Sequence, residues 1–75
     1  MADEEALMIV EVEDDGQIIE LLDGARYRVM PGDNTVSILW YPTQRIVVSE
    51  SGDAASPYLL TNLDADNQAV AASLD

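Results

Sequence analysis

Two Asp-Gly pairs, Asp15-Gly16 and Asp23-Gly24, separate three short runs in which apolar and polar residues alternate, at residues 8–13, 17–22 and 25–30. Asp-Gly between alternating β-formers is the strongest short-range hairpin signal, because both residues tolerate the positive φ that tight hairpin turns require. The first thirty residues therefore predict three antiparallel strands joined by two tight turns.

The first turn sets the register of the first two strands. With Asp15-Gly16 as a two-residue loop, Val12 lies opposite Ile19 and Val10 lies opposite Leu21. Because the two faces of a strand alternate, Met8, Val10 and Val12 are then expected to face the core. Ile19 and Leu21 are expected to face it from the second strand.

The second turn needs a different length. A strict two-residue loop at Asp23-Gly24 would place Glu20 on the same face as Tyr27. A three-residue loop at 22–24, with Gly24 in the left-handed region and a β-bulge, instead pairs Glu20 with Arg26 and Ile19 with Tyr27. This register brings Tyr27 and Val29 to the inner face and gives Glu11, Glu20 and Arg26 a common outer face.

The rest of the chain predicts a turn and further strands. Pro31-Gly32 suits a type II turn, and residues 35–41 form either a strand or one helical turn capped by Asp33 or Asn34. We expect the short helical or irregular segment there. Strands follow at 45–50, with Ile46 and Val48 inward, and at 58–63, with Tyr58 and Leu60 inward. Residues 68–74 favour a closing strand through Val70, Ala72 and Leu74, and their alanines leave a short helix as the alternative.

Five to six short antiparallel strands in meander order, on 75 residues, would form a flat sheet with two exposed edges. Curling into a small barrel removes those edges and encloses a core. The expected fold is therefore all-β, a single small barrel domain over residues 1–75, with residues 1–6 as a flexible acidic N-terminus.

Turn and core residues carry a resemblance that spans most of the chain. They are Gly16, Ile19, Leu21, Asp23, Gly24, Tyr27, Val29, Pro31 and Asp33, then Trp40, Ile46, Val48, Tyr58, Leu60 and Asn62. The pattern resembles small bacterial proteins of unknown function with SH3-like barrels. The resemblance implies the fold and no activity. The chain departs from it at residues 42–44, where a glycine-containing turn is expected.

Charge and composition exclude most catalytic chemistry. The chain has 15 acidic residues against three arginines, no His and no Cys, for a formal charge of −12. Without His, Cys or Lys there is no Ser-His-Asp or Cys-His arrangement and no Schiff-base lysine. The calcium-loop-like stretch Asp64 to Asn67 has Ala69 where the required glycine would stand. We expect no enzyme, no catalytic residue, no cofactor and no metal site.

The same charge indicates the kind of partner. It repels phosphate backbones and anionic lipid, so direct nucleic-acid or membrane binding is not expected. An acidic start and the lack of cysteine point to the cytoplasm. The expected function is a non-catalytic protein-interaction module with an acidic surface, and the alternative is an acidic nucleic-acid mimic that occupies a basic cleft.

Two surfaces are candidates for binding. Trp40 and Tyr41, with Glu11, Glu13 and Glu20, could present an aromatic and acidic surface to a peptide, unless the aromatic side chains fill the core. The residues expected to point away from the core form a candidate dimer face: Ile18, Leu22, Met30, Val47 and Leu59. Such a face is covered by a second copy or a partner, or the barrel is flattened into two packed layers.

Overall fold

The computed structural model describes residues 6–74, so the expected flexible segment at 1–6 lies outside the described residues except for Ala6. The elements are β1 (Leu7–Glu13), β2 (Ile18–Leu21), β3 (Arg26–Val29), α1 (Asn34–Ser37), β4 (Arg45–Glu50), β5 (Tyr58–Asn62) and β6 (Asn67–Ser73). Nothing helical in this part of the chain has the length and apolar character needed to cross a membrane.

The six strands form a closed barrel in the order β1-β2-β3-β6-β5-β4, and neighbouring strands are antiparallel. It consists of two three-stranded meanders, β1-β2-β3 and β4-β5-β6. They join through the β3–β6 and β1–β4 pairs. The prediction of an all-β small barrel is confirmed, and the architecture is consistent with an SH3-like barrel.

Beside both turns, the predicted hairpin registers are present. Val12 pairs with Ile19 across the first turn, and Ile19 pairs with Tyr27 across the second. In the second turn Gly24 has φ +92, and its N–H donates to the Leu21 carbonyl at 2.9 Å. The left-handed glycine and the three-residue loop are therefore confirmed.

The expected inward orientation of Met8 and Val10 is wrong. The ladder between β1 and β2 shifts between Ile9 and Glu11, so that Ile9, not Val10, pairs with Leu21. Ile9 is 2% exposed, whereas Met8 and Val10 are 42% and 44% exposed. A β-bulge adds one residue to the strand, and every residue before it changes face.

The connection between the two meanders contains the predicted single helical turn. Asp33 stands at the N-cap position of α1 but makes no capping hydrogen bond. Its Oδ2 instead accepts from the Val70 N–H at 2.9 Å. Asp33 therefore ties the helix to the closing strand β6, a contact between residues far apart in the sequence.

Residues 67–73 form a strand, as favoured, but the expected inward set of Val70, Ala72 and Leu74 is wrong. Ala69 and Ala71 are the buried residues, and Leu74 is exposed. Small side chains suit this position because the bulky Trp40 and Leu60 belong to the same core cluster.

Two turns of the same type flank the connection. At Met30 to Asp33, Gly32 has φ +101 and the Asp33 N–H donates to the Met30 carbonyl at 2.9 Å, which confirms the type II turn. At Tyr41 to Gln44, Pro42 precedes Thr43, which has φ +80. Within the segment where the resemblance predicts a glycine-containing turn, Thr43 therefore adopts the positive φ that glycine favours.

The core cluster draws on every strand and on the connection after α1. Its buried members are Ile9, Ile19, Leu21, Val29, Trp40, Ile46, Leu60, Ala69 and Ala71, and partly buried residues packed against them include Val12, Tyr27 and Val48. Val29, Ile46, Val48 and Leu60 thus face inward as predicted. Burial of these side chains is the main term that stabilises so small a barrel.

The connection after α1 packs closely on the β1–β2 turn. A Cβ added at Gly16 would lie 2.4 Å from the backbone nitrogen of Ile38, and Ser37 Oγ donates to the Gly16 carbonyl. Gly16 is thus needed for close approach as well as for its φ of +86. The neighbouring Ile18 alternates with the core residue Ile19 and faces away from the core cluster as predicted, but it is only 9% exposed, so this part of the outer face is covered.

Candidate binding cavity and acidic surface

The two ends of the barrel differ. Because neighbouring strands alternate in direction, the β1–β2 turn, α1 and the β5–β6 turn lie at one end, and the β2–β3 and β4–β5 loops lie at the other. Trp40 helps to close the first end: its Nε1–H donates to Asn67 Oδ1 at 2.7 Å. A surface cavity lies at the other end.

This cavity, named here the β4–β5 cavity, has a volume of about 390 Å³. Its lining residues come from the end of β4, the following loop and the start of β5: Glu50, Gly52, Asp53, Ala54, Pro57 and Tyr58. The lining combines two carboxylates, one aromatic ring and small or apolar residues, with no basic side chain.

Strand alternation positions Glu50 and Tyr58. Glu50 is two residues beyond Val48 on the inner face of β4, and it pairs directly with Tyr58 of β5. The Tyr58 ring also contacts Tyr27 in an edge-to-face arrangement, with centroids 5.5 Å apart and planes at 68°. The predicted inward orientation of Tyr58 is thus present, and it places the ring beside a carboxylate.

The β4–β5 loop holds Asp53 through its own hydrogen bonds. Asp53 Oδ1 accepts from the N–H groups of Ala55 and Ser56 at 2.8 and 3.2 Å. The Asp53 N–H donates to Ser51 Oγ at 3.0 Å, and the Ser51 hydroxyl donates to the Ser56 carbonyl. The second oxygen of Asp53 makes no hydrogen bond to any residue from 6 to 74.

None of the three arginines lines this cavity, and Arg28 forms no ion pair with a described residue. Arg26 Nη2 lies 3.6 Å from Glu13 Oε2, and Arg45 Nη2 lies 3.0 Å from Asp64 Oδ1. These are the two ion pairs within the described part of the chain. Chemically, the cavity can therefore accept a cation supplied from outside, which its aromatic ring can also contact.

The predicted acidic residues lie together elsewhere on the barrel. Glu11 and Glu20 are cross-strand partners, and each of Glu11, Glu13 and Glu20 can place a carboxylate oxygen within 4.8 Å of the others. Oxygen ligands at this spacing can hold a hard cation such as Ca²⁺. Arg26, which pairs with Glu20 across the ladder and contacts Glu13, compensates part of that charge.

The two aromatic residues of the predicted surface differ in exposure, because one is buried and the other is exposed. Trp40 is 3% exposed and belongs to the core cluster, so of the two alternatives it fills the core, and its satisfied indole N–H explains why it can be buried. Tyr41 is 59% exposed, and its chain neighbour Leu39 is 72% exposed. Tyr41 therefore stands beside apolar residues of the connection.

The residues of the predicted dimer face have different surroundings. Leu22 is 63% exposed, whereas Met30, Val47 and Leu59 are half-buried and Ile18 is buried. Leu59 pairs with Val70, whose carbonyl accepts from the Met30 N–H, so Leu59 and Met30 lie in one cross-strand row. Leu22 lies in another row, where its N–H donates to the Met8 carbonyl.

The β4–β5 cavity was not predicted from the sequence. Its signals are the acidic residue that ends an otherwise apolar inward face at Glu50 and the Asx-type turn at Asp53. Only the pairing of β4 with β5 shows that these residues meet Tyr58. Comparison of the chain with protein families, with curated proteins and with solved structures finds no match.

Proposed function

We propose that this chain is a non-catalytic protein-interaction module that binds a basic partner protein through its acidic surface. The observation that carries the proposal is the cavity in which two carboxylates adjoin an aromatic ring and no arginine. With a formal charge of −12, the molecule attracts basic surfaces over distances comparable to its own size at low salt.

Exposed apolar side chains provide the short-range contacts that such a module needs. Leu22, Leu39 and Tyr41 are the most exposed large apolar residues in the structure. Interfaces derive affinity from a few buried apolar and aromatic anchors, whereas charge mainly sets specificity and the association rate. The resemblance to small bacterial proteins, together with the lack of cysteine, extends the proposal to a bacterial cytoplasm.

Self-association is the other form of interaction that the apolar residues would allow. Two copies would each bring a charge of −12, and that repulsion favours a basic partner over a second copy. A nucleic-acid mimic needs carboxylates spread along one face at phosphate-like intervals. Glu11, Glu13 and Glu20 lie in one group within 4.8 Å, which favours the interaction module.

The test is affinity capture from native lysate, with the immobilised protein beside a matched polyglutamate resin, at low and high salt. We expect a partner that the protein retains and polyglutamate does not, and that stays bound when duplex DNA is added in excess. If DNA releases the captured partner, and partner binding also falls steeply at high salt, the protein is instead a nucleic-acid mimic. Equal retention on both resins would refute a specific module.

A further inference from the structure

The β4–β5 cavity contains negative charge that no residue of the described chain balances. Glu50 makes no ion pair or hydrogen bond through its side chain within residues 6–74, and Asp53 uses one carboxylate oxygen to hold its loop. A carboxylate that lines a concave site and has no charge partner in the protein attracts a cation to that site.

We propose that the β4–β5 cavity binds the guanidinium group of an arginine side chain on the partner protein. This inference rests on the proposed interaction function and names the group that the partner supplies. Glu50 and Asp53 are the charge partners, one from a strand and one from a loop, and the ring of Tyr58 is the aromatic contact.

Arginine fits this lining better than lysine. Its guanidinium is planar, makes two parallel hydrogen bonds to a carboxylate and stacks on aromatic rings, whereas the lysine ammonium is a strongly hydrated point charge. The cavity is a shallow surface depression of about 390 Å³, which is large enough for a guanidinium group to lie against its lining.

The site is also organised before binding. The loop hydrogen bonds around Asp53 hold one carboxylate, β4–β5 pairing fixes the backbone of Glu50, and the Tyr27 contact holds the Tyr58 ring. A site that is already ordered loses less conformational entropy on binding, which raises affinity for a small group.

The experiment is an NMR titration of the 15N-labelled full chain with Nα-acetyl-arginine amide, compared with Nα-acetyl-lysine amide at equal ionic strength. We expect saturable shifts at residues 50, 52–54 and 58, with a dissociation constant on the order of 1 mM for the arginine compound. The lysine compound should bind several-fold more weakly.

Two matched double variants distinguish arginine binding at the cavity from general attraction to the negative charge of the protein. Glu50→Gln with Asp53→Asn keeps the side-chain shapes and the Oδ1 that accepts from the loop, and should weaken arginine binding at least tenfold. Asp66→Asn with Asp23→Asn removes the same charge outside the cavity lining, and Asp23 Oδ1 likewise accepts from its own loop, at Ala25 N. This control pair should change binding less than twofold.

Shifts centred on Glu11, Glu13 and Glu20, or equal weakening in the two double variants, would overturn the cavity assignment. If the captured partner binds the cavity variant as tightly as the original chain, the assignment fails while the interaction function stands. If the arginine compound binds at the cavity but no partner is captured, the cavity assignment stands while the proposed interaction function fails.

Discussion

At the scale of single residues, the backbone near the connection is set by two positions with positive φ. Gly32 and Thr43 occupy the same place in two type II turns, each directly after a proline. Glycine adopts this conformation freely, whereas the Cβ of threonine crowds its own backbone there. Thr43 is exposed, and its hydroxyl makes no hydrogen bond within the part of the chain described.

Thr43→Gly is therefore expected to stabilise the protein, by about 1 kcal/mol, because relief of the left-handed strain exceeds the entropy that glycine adds to the unfolded chain. Chemical denaturation followed by circular dichroism measures the change. Thr43→Ala removes the β-branch but keeps Cβ, and should recover only part of the gain. Destabilisation by Thr43→Gly would show that the threonine side chain contributes a contact.

At the scale of elements, Arg45 and Asp64 connect the start of β4 to the β5–β6 turn. Asp64 Oδ2 accepts from the Arg45 backbone N–H at 2.8 Å and from Nε at 3.3 Å, while Oδ1 accepts from Nη2 at 3.0 Å. The hydrogen bonds from the Arg45 side chain, and then that from its backbone, hold the pKa of Asp64 below its ordinary value of 3.8.

This lowered pKa gives the pair a defined pH dependence. When the folded pKa lies below the unfolded one, the contribution is present above the ordinary value of 3.8 and is lost as pH falls through the folded value. Asp64→Asn should therefore unfold at a lower temperature than Asp66→Asn at neutral pH, and the two should converge near about pH 2.

Asp66→Asn is the matched control because it removes the same charge from the same turn, where the Asp66 side chain forms no ion pair with the described arginines. The effect should be small, since both members of the Arg45–Asp64 pair are solvent-exposed. If the difference in unfolding temperature between the two variants stayed the same down to acid pH, the Arg45–Asp64 pair would not be its cause.

At the scale of the whole molecule, the chain has a formal charge of −12, and its described part, with 11 of the 15 acidic residues and all three arginines, spans 33 × 28 × 24 Å. The Debye length is roughly 30 Å at 0.01 M salt and roughly 10 Å at 0.1 M. At low salt, each carboxylate therefore repels nearly all the others, and this repulsion opposes the compact state.

Added NaCl should accordingly raise the unfolding temperature, most steeply below about 0.2 M, where screening changes fastest. Differential scanning calorimetry at constant neutral pH measures the unfolding temperature at each NaCl concentration. Screening of the two exposed ion pairs acts in the opposite direction but is the smaller term. An unfolding temperature that stayed constant or fell with salt would show that repulsion does not limit stability.

Local signals in the sequence were sufficient to predict much of this fold. The pairing of Val12 with Ile19 and of Ile19 with Tyr27 follows from turn chemistry and alternation, because both act within a few residues. The type II turn at Pro31-Gly32 and the closing of short strands into a barrel follow from the same reasoning. The grouping of Glu11 with Glu20 is a direct consequence of the first register.

What the sequence left open depends on contacts between distant segments. The bulge at Val10 occurs where Ile9 exchanges backbone hydrogen bonds with Thr43 and Gln44, and the burial of Trp40 depends on Asn67. The β4–β5 cavity likewise exists only because two strands pair and their loop folds over Tyr58. Such contacts have no local signature, since their energy is realised only when the barrel is closed.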